Sequence, residues 1–270
     1  MGFFSFLTRH KKIKPIKVGI ALGSGGAKGY ATLGILKALE ENGIYFDIIA
    51  GTSIGSIIGA FYAKGYSCTD IQELLKRIDL GEIVSPLKLS MDTVGLYNML
   101  NRELDGANIE DLKKPFMTVA THLETSEEKV FSTGNVALAL CASSSMPPFF
   151  KPVVIDNERY IDGAYVNSIP ADLVKKMGAD YIVGVDLSVR DVKPSVISKL
   201  FPTYESKVKE PWNKGYENSD LVIHPDLTGY KAYSFDGGDK MFDIGYQEGL
   251  KYVKQIKQEI ESLKTSKRKR

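Results

Sequence analysis

The chain of 270 residues has little of what marks several common protein classes. Its two cysteines, Cys68 and Cys141, are too few for a disulfide framework and lack metal-ligand spacing. A reducing compartment suits them, and no metal is expected. Histidine is scarce as well, with only His10, His122 and His224 available as an imidazole base. No single sign of charge dominates. The 35 basic residues stand against 33 acidic ones, a formal +2, so no footprint for nucleic acid is visible. No apolar run approaches the roughly 20 residues needed to cross a bilayer. The body of the chain is expected to be soluble and cytoplasmic, at most peripheral at the inner membrane face.

What is present is enough apolar side chain, 43%, to bury one large core. The reading is a single domain over residues 17–263, between a basic and aromatic segment at 1–16 and a basic tail at 264–270. The first segment places Phe3, Phe4, Phe6 and Leu7 ahead of Arg9, Lys11, Lys12, Lys14 and Lys17. That order is wrong for an export signal, and Phe6 breaks a myristoylation signal. Two readings stay open: an amphipathic start that dips aromatics into a membrane surface, or a solvated terminus. For Lys267 to Arg270 a solvated terminus is expected.

Along the chain, Val18 to Leu22 reads as a buried strand running into Gly23-Ser24-Gly25-Gly26-Ala27-Lys28-Gly29, then a helix with Leu33, Leu36 and Leu39 on one face. Phe46 to Ala50 is a second strand, followed by Gly51-Thr52-Ser53-Ile54-Gly55 and a second helix. Repeated strand, loop and helix predict a mostly parallel sheet flanked by helices. A helix is predicted over 70–79, and residues 81–111 show helix-like patches around Leu96 to Leu104 but no clean period, leaving open whether they form a mobile cover over the site. Strands at 116–122 and 129–132 precede a helix from Val136, and a hairpin around Asp156-Asn157 ends in Asp162-Gly163-Ala164. Pro170 opens a helix, and strands follow at 181–186 and 221–224. Residues 189–218 are read as a loop-rich excursion, and a helical stripe runs from Lys240 to Leu263.

Gly51 to Gly55 fits G-x-S-x-G, with a buried strand before it and a helix after it, which is the setting that gives the motif meaning. Ser53 would stand at a helix N-terminus, where developing negative charge is favoured. The five residues alone also fit an ordinary Gly/Ser turn. The loop at 23–29 fails as a P-loop and is imperfect as a dinucleotide fingerprint, since Lys28 stands where the third glycine belongs. An oxyanion hole fits better, with the N–H groups of Gly25 and Gly26 free to approach a tetrahedral intermediate. A strand-to-helix turn is the plainer alternative.

A serine nucleophile needs a base. Ser53, Asp162 and His224 follow the chain order of an α/β-hydrolase triad, but His224 sits within a strand just before Pro225, where that fold uses a loop. Asp162 ends a strand and would face the serine directly, although Asp-Gly is equally a favoured turn pair. An ordinary aspartate, pKa about 3.9, is a weak base, so burial would have to raise it.

Taken together, Leu22 to Gly29, Ile49 to Gly55, Ala142-Ser143-Ser144 with Pro147 and Phe150-Lys151-Pro152, Tyr160 to Ala164, and Met177 to Asp180 resemble the bacterial patatin-like phospholipases. The resemblance implies a three-layer α/β/α sandwich, a Ser53 and Asp162 dyad, and an oxyanion hole at Gly25 and Gly26. Lys28 falls at the family's basic position, where it would orient the loop or meet a lipid phosphate. Hydrolysis of fatty acyl esters in phospholipids, lysophospholipids or neutral lipids is implied, through an acyl-serine, with no cofactor and with transient contact to a membrane surface. Three residues depart from the pattern: Thr32 for histidine, His122 for aspartate, and Gly-Ala for Gly-Gly after Asp162. The rival readings are a catalytically silent lipid-binding or scaffold protein and a nucleotide-dependent oxidoreductase.

Overall fold

A strand buried on both faces must lie inside a sheet that is covered on both sides. Strand β1 (Val18–Leu22) is buried at all five positions. In the computed structural model, which describes residues 14–77, 91–189 and 207–269, it pairs in parallel with β2 (Ile48–Gly51) and β7 (Tyr181–Val185). The other strands are β3 (Phe116–His122), β4 (Glu128–Phe131), β5 (Val153–Ile155), β6 (Glu158–Asp162) and β8 (Leu221–Ile223). The eight-stranded order is β5-β6-β3-β2-β1-β7-β8, with β4 on β3. Strands β3, β2, β1, β7 and β8 are parallel neighbours, whereas β4 and β6 join β3 antiparallel.

The helices in chain order are α1 (Gly29–Glu41), α2 (Ile54–Lys64), α3 (Cys68–Arg77), α4 (Val94–Glu103), α5 (Val136–Ser143), α6 (Ala171–Lys176), α7 (Asn213–Asn218) and α8 (Gly238–Lys269). Alternate residues of β1 point to opposite faces. Ile20 and Leu22 enter the large core with Leu33, Leu36 and Ile58, and Ala21 enters a second core with Leu173, Val174 and Ile182. Helices therefore cover both faces, which is the three-layer α/β/α arrangement expected from the sequence. None of the described helices is long and apolar enough to cross a membrane. Cys68 and Cys141 are both buried thiols.

Helices α1 and α8 meet almost backbone to backbone. A methyl group built on Gly34 would lie 2.0 Å from the carbonyl oxygen of Phe242, and one on Gly245 would lie 2.0 Å from that of Ala31. Only glycine fits at these two crossings.

Several boundaries differ from the sequence reading. Helix α8 runs through Lys269, so residues 264–269 continue it instead of forming a tail, and Lys267 Nζ binds Asp180 Oδ1 at 2.7 Å. Residues 213–218 of the loop-rich excursion form α7, which Gly215 packs against Ile169. The helix-like patch read around Leu96 to Leu104 is helix α4, and Leu96, Leu100 and Leu104 are buried in the main core. Residues 81–90 of the candidate cover, and residues 1–13 of the N-terminal segment, lie outside the described residues.

Candidate active site

Register on β3 brings the two candidate residues together. Strand β2 ends with Gly51 opposite Thr118, and β6 ends with Asp162 opposite Ala120, two residues further along the same strand. Past the end of β2 the chain reverses sharply into α2. Ser53 sits at the bend with φ +55° and ψ −126°, a backbone state that non-glycine residues rarely hold. The reversal needs bare backbone on both sides. A methyl on Gly51 would lie 2.3 Å from Gly55 O, and one on Gly55 would lie 2.2 Å from Leu22 O.

The turn is pinned from three directions. Thr52 Oγ1 donates to Asn167 O at 2.8 Å, and Ser56 Oγ donates to Ser53 O at 2.6 Å. The Ser53 N–H donates to Ser143 Oγ at 2.9 Å, and Thr118 Oγ1 holds Gly51 O at 2.9 Å while lying 3.1 Å from Ser143 Oγ. A strained residue persists only when its surroundings over-determine it, and these bonds supply that constraint.

Ser53 Oγ donates to Asp162 Oδ2 at 2.6 Å. Asp162 is fully buried, and its other oxygen accepts the Ala164 N–H at 2.8 Å. Its backbone is fixed as well, with its N–H on Ser145 O at 3.0 Å and its carbonyl held by Thr121 Oγ1 at 2.8 Å. Burial raises its pKa to about 7, and the Ser53 and Ala164 hydrogen bonds oppose part of that rise. The weak base expected from an ordinary aspartate is therefore a base matched to neutral pH.

The glycine loop closes the site from β1. Gly26 has φ +57°, and a methyl there would lie 2.1 Å from Ala232 O. The flanking N–H groups are engaged, Ser24 with Ser168 O at 3.0 Å and Ala27 with Ala232 O at 2.7 Å. Those of Gly25 and Gly26 have no acceptor among the described residues, and both glycines line the same cavity as Ser53 and Asp162. The cavity measures about 230 Å³, and most of its wall is apolar, including Ile54, Ile57, Leu96, Met146, Phe149 and Phe150.

The remaining candidates lie elsewhere. Lys28 does not line the cavity; it is buried, its pKa is lowered by that burial, and the charge of Asp186 opposes the shift. His224 points its Nε2 at Ser188 O, 2.8 Å away, and does not line the cavity, so the triad reading gives way to the direct Ser53 to Asp162 contact. His122 sits between Glu124 and Glu158, the one group among the described residues whose ligand atoms lie close enough to share a cation. Its Nδ1 accepts the Thr125 N–H at 3.2 Å, its Nε2 meets Glu158 at 2.6 Å, and Arg159 holds Glu124. These partners complete the group as a hydrogen-bond network. His10 lies outside the described residues.

Sequence reasoning assigned no role to Ser143, Thr118 or Thr121, the hydroxyls that fix the dyad. Ser143 and Ser144 stood in a motif shared with the family, but nothing in that motif said which hydroxyl meets which backbone group.

Mouse patatin-like phospholipase domain-containing protein 6 is 28% identical over 274 residues, spanning 86% of this chain and 20% of its own length. Lysophospholipase nte1 of Aspergillus fumigatus is 29% identical over 282 residues, spanning 90% of this chain and 18% of its own length. The chain thus spans about a fifth of the curated relatives it matches. Among solved structures, VipD from Legionella pneumophila superposes with a TM-score of 0.60 at 14% identity, over 90% of this chain and 67% of its own. Human GIVD cytosolic phospholipase A2 does so with a TM-score of 0.52 at 13% identity, over 93% of this chain and 60% of its own. Both likenesses speak to the fold alone. The family model for patatin-like phospholipase matches residues 20–175, more than half of the chain, which therefore belongs to that family.

Proposed function

We propose that this chain is a lipid acyl hydrolase in which Ser53 attacks the ester carbonyl and Asp162 serves as its base. The observation that carries the reading is the 2.6 Å hydrogen bond from Ser53 Oγ to a fully buried carboxylate at the wall of an apolar cavity. In the acylation step, Ser53 Oγ forms a bond to the carbonyl carbon as its proton passes to Asp162 Oδ2. The carbonyl oxygen becomes an oxyanion facing the Gly25 and Gly26 N–H groups, each such donor being worth about 3–4 kcal/mol in a hydrolase transition state. The carbon–oxygen bond to the alcohol then breaks, and Asp162 returns the proton to the departing oxygen. Water, losing its proton to Asp162, attacks the acyl-serine; the bond from the acyl carbon to Ser53 Oγ breaks, Asp162 returns the proton to Ser53 Oγ, and the fatty acid leaves. An apolar wall suits an acyl chain, and relatives named lysophospholipase support lipid esters as the substrate class.

The human GIVD cytosolic phospholipase A2 structure contains a methyl γ-linolenyl fluorophosphonate inhibitor, which recommends the same chemistry as a probe. Fluorophosphonate labelling of the purified chain is expected in the wild type and is expected to vanish in folded Ser53→Ala. Lack of labelling of the folded wild type, with lipid vesicles present, would favour a silent lipid-binding protein instead.

A further inference from the structure

The two free amides of the glycine loop, those of Gly25 and Gly26, lie between two bonded ones. On one side the Ser24 N–H reaches Ser168 O at 3.0 Å, and Ser24 Oγ meets Ser168 Oγ at 2.8 Å. On the other side the buried Ala27 donates its N–H to Ala232 O at 2.7 Å. The two supports differ in kind. Ser168 lies within the family match, whereas Ala232 lies well beyond its end at residue 175.

Ala232 belongs to a strap bounded by two glycines of positive φ, Gly229 at +88° and Gly237 at +78°. Within it the Ser234 N–H donates to Lys231 O at 3.3 Å, which makes Ala232 and Tyr233 the central residues of a turn. Lys231, Ala232 and Asp236 are exposed, while Tyr233 and Phe235 are half-buried and belong to the wall of the cavity that holds Ser53. The Tyr233 ring rests against Phe149, with centroids 6.3 Å apart and planes tilted by 34°, inside the range where aromatic pairs attract. The Ala232 carbonyl and the Tyr233 nitrogen share one planar peptide unit. The seat of the ring therefore sets the direction of the carbonyl.

We infer that Tyr233 is a positioning residue for the oxyanion hole: seated on Phe149, it aims the Ala232 carbonyl at the Ala27 N–H and so keeps the Gly25 and Gly26 N–H groups turned into the cavity. This rests on the acyl-hydrolase reading and goes beyond it by making the hole depend on a segment outside the family match. An exposed strap between glycines opens at lower free energy than the sheet beneath it. The hole is assembled while the strap is seated and lost when it lifts. Oxyanion donors act because their direction is fixed before charge develops, so loosening them lowers kcat and leaves ground-state binding largely alone.

Two measurements on the full chain test this, and the first needs no turnover. In NMR-detected hydrogen exchange, Tyr233→Ala is expected to speed exchange of the Ala27 amide by about tenfold while the β1 amides stay within about twofold of wild type. Tyr233→Phe, which keeps the ring, is expected to exchange as the wild type does. In hydrolysis of p-nitrophenyl butyrate, Tyr233→Ala is expected to lose about tenfold in kcat with KM within about twofold, and Tyr233→Phe to retain the wild-type kcat. An unchanged Ala27 amide in Tyr233→Ala, an acceleration shared equally by β1, or a loss carried by KM alone would overturn the assignment. Fluorophosphonate labelling of wild-type Ser53 shows separately whether the hydrolase reading stands.

Discussion

Asp162 and Asp186 make an instructive pair. Each stands at the C-terminal end of a sheet strand, and they are 0% and 1% exposed, yet their acidities shift in opposite directions. Burial pushes both pKa values up. Around Asp186 it is outweighed by hydrogen bonds from the Ser188 N–H at 2.9 Å and the Tyr216 hydroxyl at 2.8 Å, with His224 nearby, and its pKa falls below the usual value. Around Asp162 the donors are Ser53 Oγ and the Ala164 N–H, and burial prevails. Two carboxylates shut from solvent thus differ in acidity, because Asp186 is less deeply desolvated and meets a stronger set of donors and a neighbouring histidine.

The largest effect that separates the pair is on turnover. Asp162→Asn is expected to lower kcat on a soluble ester by about 10³-fold, within the range general-base catalysis supplies, whereas folded Asp186→Asn should lose less than about tenfold. Equal losses in the two variants would undo the distinction.

Stability should move in opposite directions. Asp162 holds its proton up to about pH 7 in the folded state, against about 4 when unfolded, so its ionisation lowers stability as pH rises across that window. At pH 8 Asp162→Asn removes that burden, and its Tm should rise by on the order of 5 °C, a gain that disappears as pH approaches 4. Asp186 has a depressed pKa and contributes stability above the unfolded value, which is lost as pH falls through the folded one. Asp186→Asn should lower Tm at pH 8 by a similar amount. Thermal melts at both pH values read the two signs directly.

The smallest effect concerns the pH profile. The kcat/KM of the wild type for a soluble ester should rise through a single ionisation near pH 7, as the free dyad becomes a base. Asp186→Asn should shift that midpoint by less than roughly 0.3 unit, since the two carboxylates act in separate surroundings. A profile already flat from pH 5 would mean that Asp162 is an ordinary carboxylate.

The same pair shows what could be read before any coordinates. The strand, sharp turn and helix around Ser53 announce themselves locally, because alternation of buried strand and small residues is written within ten positions. Asp162-Gly163 was equally legible as a turn, and only its pairing opposite Ala120 places the carboxylate at the serine. The hydroxyls of Ser143, Thr118 and Thr121 gave no role in advance, since a buried serine or threonine looks the same whether it serves a helix, a strand or a nucleophile. The extent of α8 was misjudged for a related reason. Its last turn is basic and solvated in composition, yet Lys267 has a partner, Asp180, across the fold.

The family match ends at residue 175, but the packing does not. Strand β1 has β7 along one whole side, the glycine loop rests on Leu187 and Ala232, and α1 fits into α8 through Gly34 and Gly245. Cutting the chain at the family boundary would open one edge of β1, exposing the N–H and C=O row that now binds β7. Such an edge is a template for strand addition by another copy. For anyone shortening or grafting this domain, the minimal working piece is therefore set by what supports the glycine loop, and it reaches into the last helix.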